Sequence, residues 1–171
     1  MRPLFHRNRG KIHISIIVSA LGLIGIICIG NALAAGAPSR PSSSTKSAAQ
    51  IRSEANVYFK QGEVLQDEGN YKEAAKRYSK AIKIDREYAE AYSNLGYCQR
   101  KQGHFKKAIK TYKKAIKLNP QLAEAHEYLG EAYAEIGKFD LAQQELQILR
   151  ELGSPEADEL AEFIEKMKKE S

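Results

Sequence analysis

A spacing of 34 residues governs this chain. Gly62, Gly96 and Gly130 recur at that interval, as do Gly69, Gly103 and Gly137, Tyr71, Phe105 and Phe139, and Ala74, Ala108 and Ala142. The register continues through Tyr78, Tyr112 and Leu146, then Ala81, Ala115 and Leu149, then Ile84, Leu118 and Leu152. So many coincidences at one period specify a repeat array, in which a single unit cannot bury its own faces and must stack on its neighbours. In the central copy, residues 89–122, one helical face carries Tyr92, Leu95 and Gly96, and a second carries Phe105, Ala108, Ile109, Tyr112, Ala115 and Ile116. Gly103 falls between them, where a residue with φ > 0 closes the first helix without a Cβ penalty. Each copy is therefore a helix hairpin. Gly96 lies inside a helix at a cost of about 1 kcal/mol relative to Ala. Its recurrence predicts a close helix approach, with Ala108 and Ala115 as the matching small residues.

These positions resemble the tetratricopeptide repeat family over about residues 55–154. The resemblance implies an all-α, right-handed solenoid of three helix-turn-helix repeats, 55–88, 89–122 and 123–154. Composition agrees: no tryptophan, five prolines and 28% charged residues suit a helical chain. The first copy departs from the pattern at Gln61, where Leu95 and Leu129 follow, which a terminal repeat packed on one side tolerates. After the third copy, Ser154 as N-cap and Pro155 at the first helical position predict a capping helix over 155–171. Its apolar stripe is Ala157, Leu160, Ala161, Ile164 and Met167, with Asp158, Glu159, Glu162 and Glu165 toward water.

Residues 1–34 have a basic opening (Arg2, Arg7, Arg9, Lys11), an apolar run from Ile14 to Ile29, and the small residues Ala32 and Ala34. This is the layout of a signal peptide cut after Ala34. The competing reading is an anchor retained in an inner membrane over residues 14–34, since about 20 apolar residues span a bilayer. Both place everything after residue 36 on the exported, periplasmic or extracytoplasmic side. Ile27 precedes Cys28 where a lipid-attachment signal needs a small residue. Residues 35–50, rich in Ser, Ala and Pro, predict a flexible linker.

The net charge of +6 conceals an asymmetry: residues 1–50 carry +6, 51–122 carry +8 and 123–171 carry −8. The whole-chain balance therefore says little about a nucleic-acid partner, and none is expected. A basic strip runs along the second helices through Lys72, Lys76, Arg77, Lys80 and Lys83, then Lys106, Lys107, Lys110, Lys113, Lys114 and Lys117. Such a strip is the solvated outer face of a stack, or a contact for anionic lipid or polymer. A positive front and a negative back also permit a self-associating scaffold.

Chemistry is absent from the pattern. No Cys or His pair has metal-ligand spacing, no Gly-rich loop opens a helix, and no nucleophile motif occurs, so the chain predicts no enzyme, cofactor or metal. Cys98 reads as a small buried thiol, His104 as a polar turn residue, and His126 as a packed ring where Tyr58 and Tyr92 stand. The family resemblance implies instead that the first helix of each hairpin lines a concave groove holding a peptide or helix of another protein. Carried over to this sequence, the groove comprises Phe59, Lys60, Glu63, Asn94, Tyr97, Arg100, Lys101, Glu127, Tyr128, Glu131 and Glu135. Phe59, Tyr97 and Tyr128 are expected as exposed aromatic anchors, Arg100 and Lys101 as a basic middle, and the three glutamates as an acidic far end. Family members that clamp a chaperone's C-terminal carboxylate use Lys, Asn and Arg at set positions. Only Asn94 matches here, with Phe59, Glu63, Glu124 and Tyr128 in the other places, so that ligand class is not expected. The sequence thus predicts a non-catalytic protein-binding adaptor of a bacterial-type cell envelope, and leaves its oligomeric state open between a monomer and the self-associating scaffold.

Overall fold

Amphipathic segments of 13 to 20 residues, each covered on one stripe only, become stable when hairpin packs on hairpin. The computed structural model describes residues 46–171, and among them holds seven α-helices and no strand. These are α1 (Ala48–Asp67), α2 (Tyr71–Ile84), α3 (Ala89–Lys101), α4 (Phe105–Leu118), α5 (Ala123–Glu135), α6 (Phe139–Glu151) and α7 (Glu156–Glu170). Each helix packs on the next, so three hairpins form one stack, and α7 closes on both α5 and α6. The result is the all-α repeat solenoid that the spacing predicts. The apolar run at 14–29 and residues 35–45 of the expected linker lie outside the described residues.

Two kinds of turn set the alternation. Within each hairpin the glycine adopts positive φ (76° at Gly69, 77° at Gly103, 72° at Gly137). Its N–H and that of the next residue return to the helix end: Gly103 N–H to the Arg100 carbonyl at 2.8 Å, and His104 N–H to that of Gln99 at 2.9 Å. This satisfies carbonyls that a helix terminus would otherwise leave bare. Between hairpins, Asp85 and Asn119 are extended, and their side chains accept the N–H of Glu87 (2.9 Å) and Gln121 (3.1 Å). Gly153 holds the equivalent place after α6 with φ 64°, so α7 is entered through a glycine turn instead.

The helical glycines do mark close approaches, but alanine is not what approaches them. A methyl group on Gly62 would lie 2.6 Å from Tyr78 Cε1, and one on Gly96 2.5 Å from Tyr112 Cε1. Both tyrosines are fully buried. The missing side chain is the seat of an aromatic ring. The third hairpin has Leu146 in the tyrosine position, and Leu160 of α7 comes to within 2.5 Å of a methyl on Gly130. The capping helix thereby completes the third repeat's core, which Ala142, Leu149 and Ile164 share.

The ends differ from expectation in three places. Ala48–Gln50, assigned to the linker, form the first turn of α1, because Ser47 and Gln50 make a reciprocal capping box (3.2 and 2.8 Å). Helix α7 begins at Glu156 rather than Pro155, and the Ser154 hydroxyl donates to the Glu156 carboxylate instead of capping a backbone N–H. Gln61 is exposed as expected, but so are Val57 (56%) and Val64 (59%). Their counterparts Ala91, Cys98, Ala125 and Ala132 are covered by a preceding hairpin, and α1 has none before it among the described residues.

Candidate functional site

The first helices α1, α3 and α5 carry every predicted groove residue, and their packing sorts those residues into three groups. Phe59 belongs to the core. It is 7% exposed, stacked on Tyr88 at 4.9 Å and tilted against Tyr78 at 5.5 Å, because Tyr88 folds over it from the turn before α3. The expectation of an exposed anchor there is corrected. Tyr97 and Tyr128 are half-buried and lie 5.2 Å apart, with Tyr71 edge-on to Tyr97 (6.0 Å) and Tyr112 against Tyr128 (6.1 Å). Four rings thus form one aromatic ridge from α2 to α5. Burial pushes the Tyr97 phenol up to about 12.

The charged residues are rearranged more severely. Arg100 is 5% exposed, with Nη2 2.5 Å from Glu131 and Nη1 3.0 Å from Glu135. Of the expected basic middle, Arg100 is therefore internal. Burial opposes the guanidinium's charge, and the two glutamates more than restore it. Lys101 stays exposed, its ammonium 5.2 Å from the Tyr97 ring, while Lys60 pairs with Glu63 at 2.6 Å. Asn94 turns inward and donates to the Tyr78 hydroxyl at 3.3 Å. Glu127, expected at an open acidic end, is only 8% exposed. Burial first, then Glu131, Glu159 and Glu156, push it up to about 8. Burial likewise raises Glu131, although Arg100 draws it back.

Sequence reasoning missed the residues that come from outside the first helices. Tyr88 covers Phe59, and Glu156, which stands to Glu127 in the repeat register as Tyr88 stands to Phe59, faces it together with Glu159. That shared register was the available signal. His126 is 4% exposed, with Nδ1 2.7 Å from Glu145 and Nε2 3.0 Å from the Pro120 carbonyl. The Pro120 carbonyl can only accept, so Nε2 donates to it, and an ionised Glu145 carboxylate accepts from Nδ1 when the ring is protonated. Burial lowers its pKa, but these two partners outweigh that and leave it raised. Cys98 is fully buried, and burial pushes its thiol up to about 12.

Models described as "Tetratricopeptide repeat" match residues 89–122 and 111–144, and one described as "TPR repeat" matches 55–103. The chain belongs to the tetratricopeptide repeat family. No curated protein matches this tetratricopeptide repeat chain. Among solved structures it is similar to the first such domain of Spaghetti (RPAP3) bound to an HSP90 peptide, at TM-score 0.62 and 22% identity over 68% of this chain and 95% of that one. It is also similar to the TPR2B domain of yeast Sti1 in its pHsp70 complex, at TM-score 0.62 and 23% identity over 71% and 98%. The Yersinia enterocolitica type III secretion chaperone SycD, in complex with a peptide of the translocator YopD, aligns at TM-score 0.61 and 18% identity over 69% and 95%.

Proposed function

We propose that this tetratricopeptide repeat protein is a non-catalytic adaptor that holds a peptide or helix of another protein against the α1–α3–α5 face. The observation that carries this reading is the half-buried Tyr97–Tyr128 pair with Lys101 beside it. Half-exposed rings held rigid by neighbours offer contact area at little entropic cost, which is what interface anchors need. The peptides named with the similar structures support the same kind of partner. The basic opening, apolar run and small residues of the first 34 positions support an exported role in a cell envelope. A photo-crosslinking side chain at Lys101 of the full-length protein tests the reading in extracts of its own cells. One protein partner captured there, and not by the same probe at Lys107, supports it; capture favouring Lys107 overturns it.

A second reading rests on the outer face. All eleven basic residues singled out on α2 and α4 are exposed, and Glu73, paired with Lys76 at 2.7 Å, is the only acid on those two helices. Such a surface attracts anionic lipid or polymer, with an affinity that falls as salt rises.

A further inference from the structure

We infer that the lysine face of α2 and α4 is a docking site for a linear polyanion, a soluble chain of phosphate groups lying along the helix axes. The inference rests on the second reading above and names the partner of that surface. It does not depend on what occupies the α1–α3–α5 face.

The first support is register. Lys72, Lys76, Lys80 and Lys83 of α2 each have a lysine 34 residues on in α4, so two successive hairpins present the same row of charge. All are exposed. At about 1.5 Å of rise per residue, neighbours in a row stand about 4.5–6 Å apart along the helix, a repeat that a chain of evenly spaced charges can follow. The hairpin itself does not call for lysine there, since α6 has Asp140, Gln144, Ile148 and Glu151 at these positions. Like charges four apart weaken a helix, and α4, with no acidic residue, leaves its lysines uncompensated within the helix. A polyanion would supply the missing charge.

The second support is that part of the array is held in place. Lys80 lies 4.2 Å from the centre of the Tyr58 ring, and its counterpart Lys114 lies 5.9 Å from that of Tyr92. Cations positioned before binding lose less freedom when a partner arrives. The third is the chemistry of the face. The exposed large apolar side chains among the described residues are Val57, Val64 and Leu152, none of them on α2 or α4, so this face has no such side chain to insert into a lipid layer. Tyr58 and Tyr92 are half-buried beneath lysines rather than open for nucleic-acid bases to stack on. Ten of the eleven cations are lysines, point charges suited to phosphate oxygens, where arginine's planar fork would grip carboxylates in pairs.

The test titrates the full-length protein with long-chain polyphosphate over a salt series, beside two variants with equal changes in net charge, each first checked for folding. One replaces Lys106, Lys110 and Lys117 by Gln; the other replaces Lys138, Lys166 and Lys169, exposed residues off this face. We expect the first variant to bind at least about tenfold more weakly at low salt. Its dependence of log affinity on log salt should be shallower by about 2, as for three lost contacts at about 0.7 each. The second variant should stay within about twofold of the wild type. If the first variant binds polyphosphate like the wild type, or the two variants weaken alike, the inference is overturned. Tighter binding of polyglutamate, oligothymidylate or phosphatidylglycerol vesicles, lost in the first variant, overturns the phosphate-chain assignment and leaves the anionic reading of the face standing. If no polyanion and no vesicle distinguishes the first variant from the wild type, that reading falls as well.

Discussion

Arg100 crosses from α3 to α5 and meets Glu131 at 2.5 Å, which ties the second repeat to the third through a buried ion pair. A buried pair of this kind adds little over a well-packed apolar replacement, but breaking one strands the partner charge. Arg100→Ala would leave Glu131 and Glu135 without their cation. It should destabilise the protein by about 3–5 kcal/mol in denaturant unfolding. Glu135→Gln, which keeps the Glu131 contact, should cost clearly less.

The tyrosine seats give a paired prediction. Gly96→Ala places a methyl 2.5 Å from Tyr112 and should cost about 1–3 kcal/mol by overpacking. Combining it with Tyr112→Leu should cost less than the sum of the two changes. Gly103→Ala meets no atom, yet its φ of 77° makes it unfavourable by about 1 kcal/mol through backbone strain alone, with no rescue at Tyr112. Thermal unfolding of the four variants separates the two mechanisms.

How much of this was legible in the sequence follows from where each contact lies. The hairpins, their glycine turns and the buried column of Ala74, Tyr78 and Ala81 follow from periodicity, because those contacts recur from copy to copy. Contacts made once do not recur. That Leu160 would fill the seat at Gly130, that Tyr88 would cover Phe59 and that Arg100 would sink between two glutamates depend on side chains from different elements, which spacing along one helix cannot reveal. The family pattern placed Phe59 and Arg100 on the correct helices and gave no account of their burial.

Stability should fall as pH rises, against the common carboxylate trend. Burial holds the folded Glu127 carboxyl up at about 8 against an ordinary 4.5, so between those values the folded state binds more protons than the unfolded one, and stability declines across that window. His126, raised above 6.5, stabilises fully below that value and loses its contribution as pH climbs through its folded pKa. A tenfold difference in proton affinity between the folded and unfolded states corresponds to about 1.4 kcal/mol. Urea unfolding from pH 5 to 9 should show this decline, with Glu127→Gln removing much of it and His126→Gln the upper part. An unfolding midpoint that rises over this range contradicts the assignment.

The open face of α1 predicts tolerance. Val57→Ser and Val64→Ser should change stability by less than about 0.5 kcal/mol, since both side chains are already more than half exposed. A charged residue at the equivalent, fully buried Cys98 should cost several times more. Parallel thermal melts check both.

Whether partners bind the α1–α3–α5 face rather than the lysine strip is tested most directly by titrating one captured partner against two variants. These are Tyr97→Ala and the joint replacement of Lys107, Lys110 and Lys114 by Ser, each first checked for folding. Tyr97→Ala should lose about 1–3 kcal/mol of binding, while the lysine variant should stay within about 0.5 kcal/mol and change mainly the association rate at low salt. Loss of binding in the lysine variant, with Tyr97→Ala unaffected, would contradict groove binding.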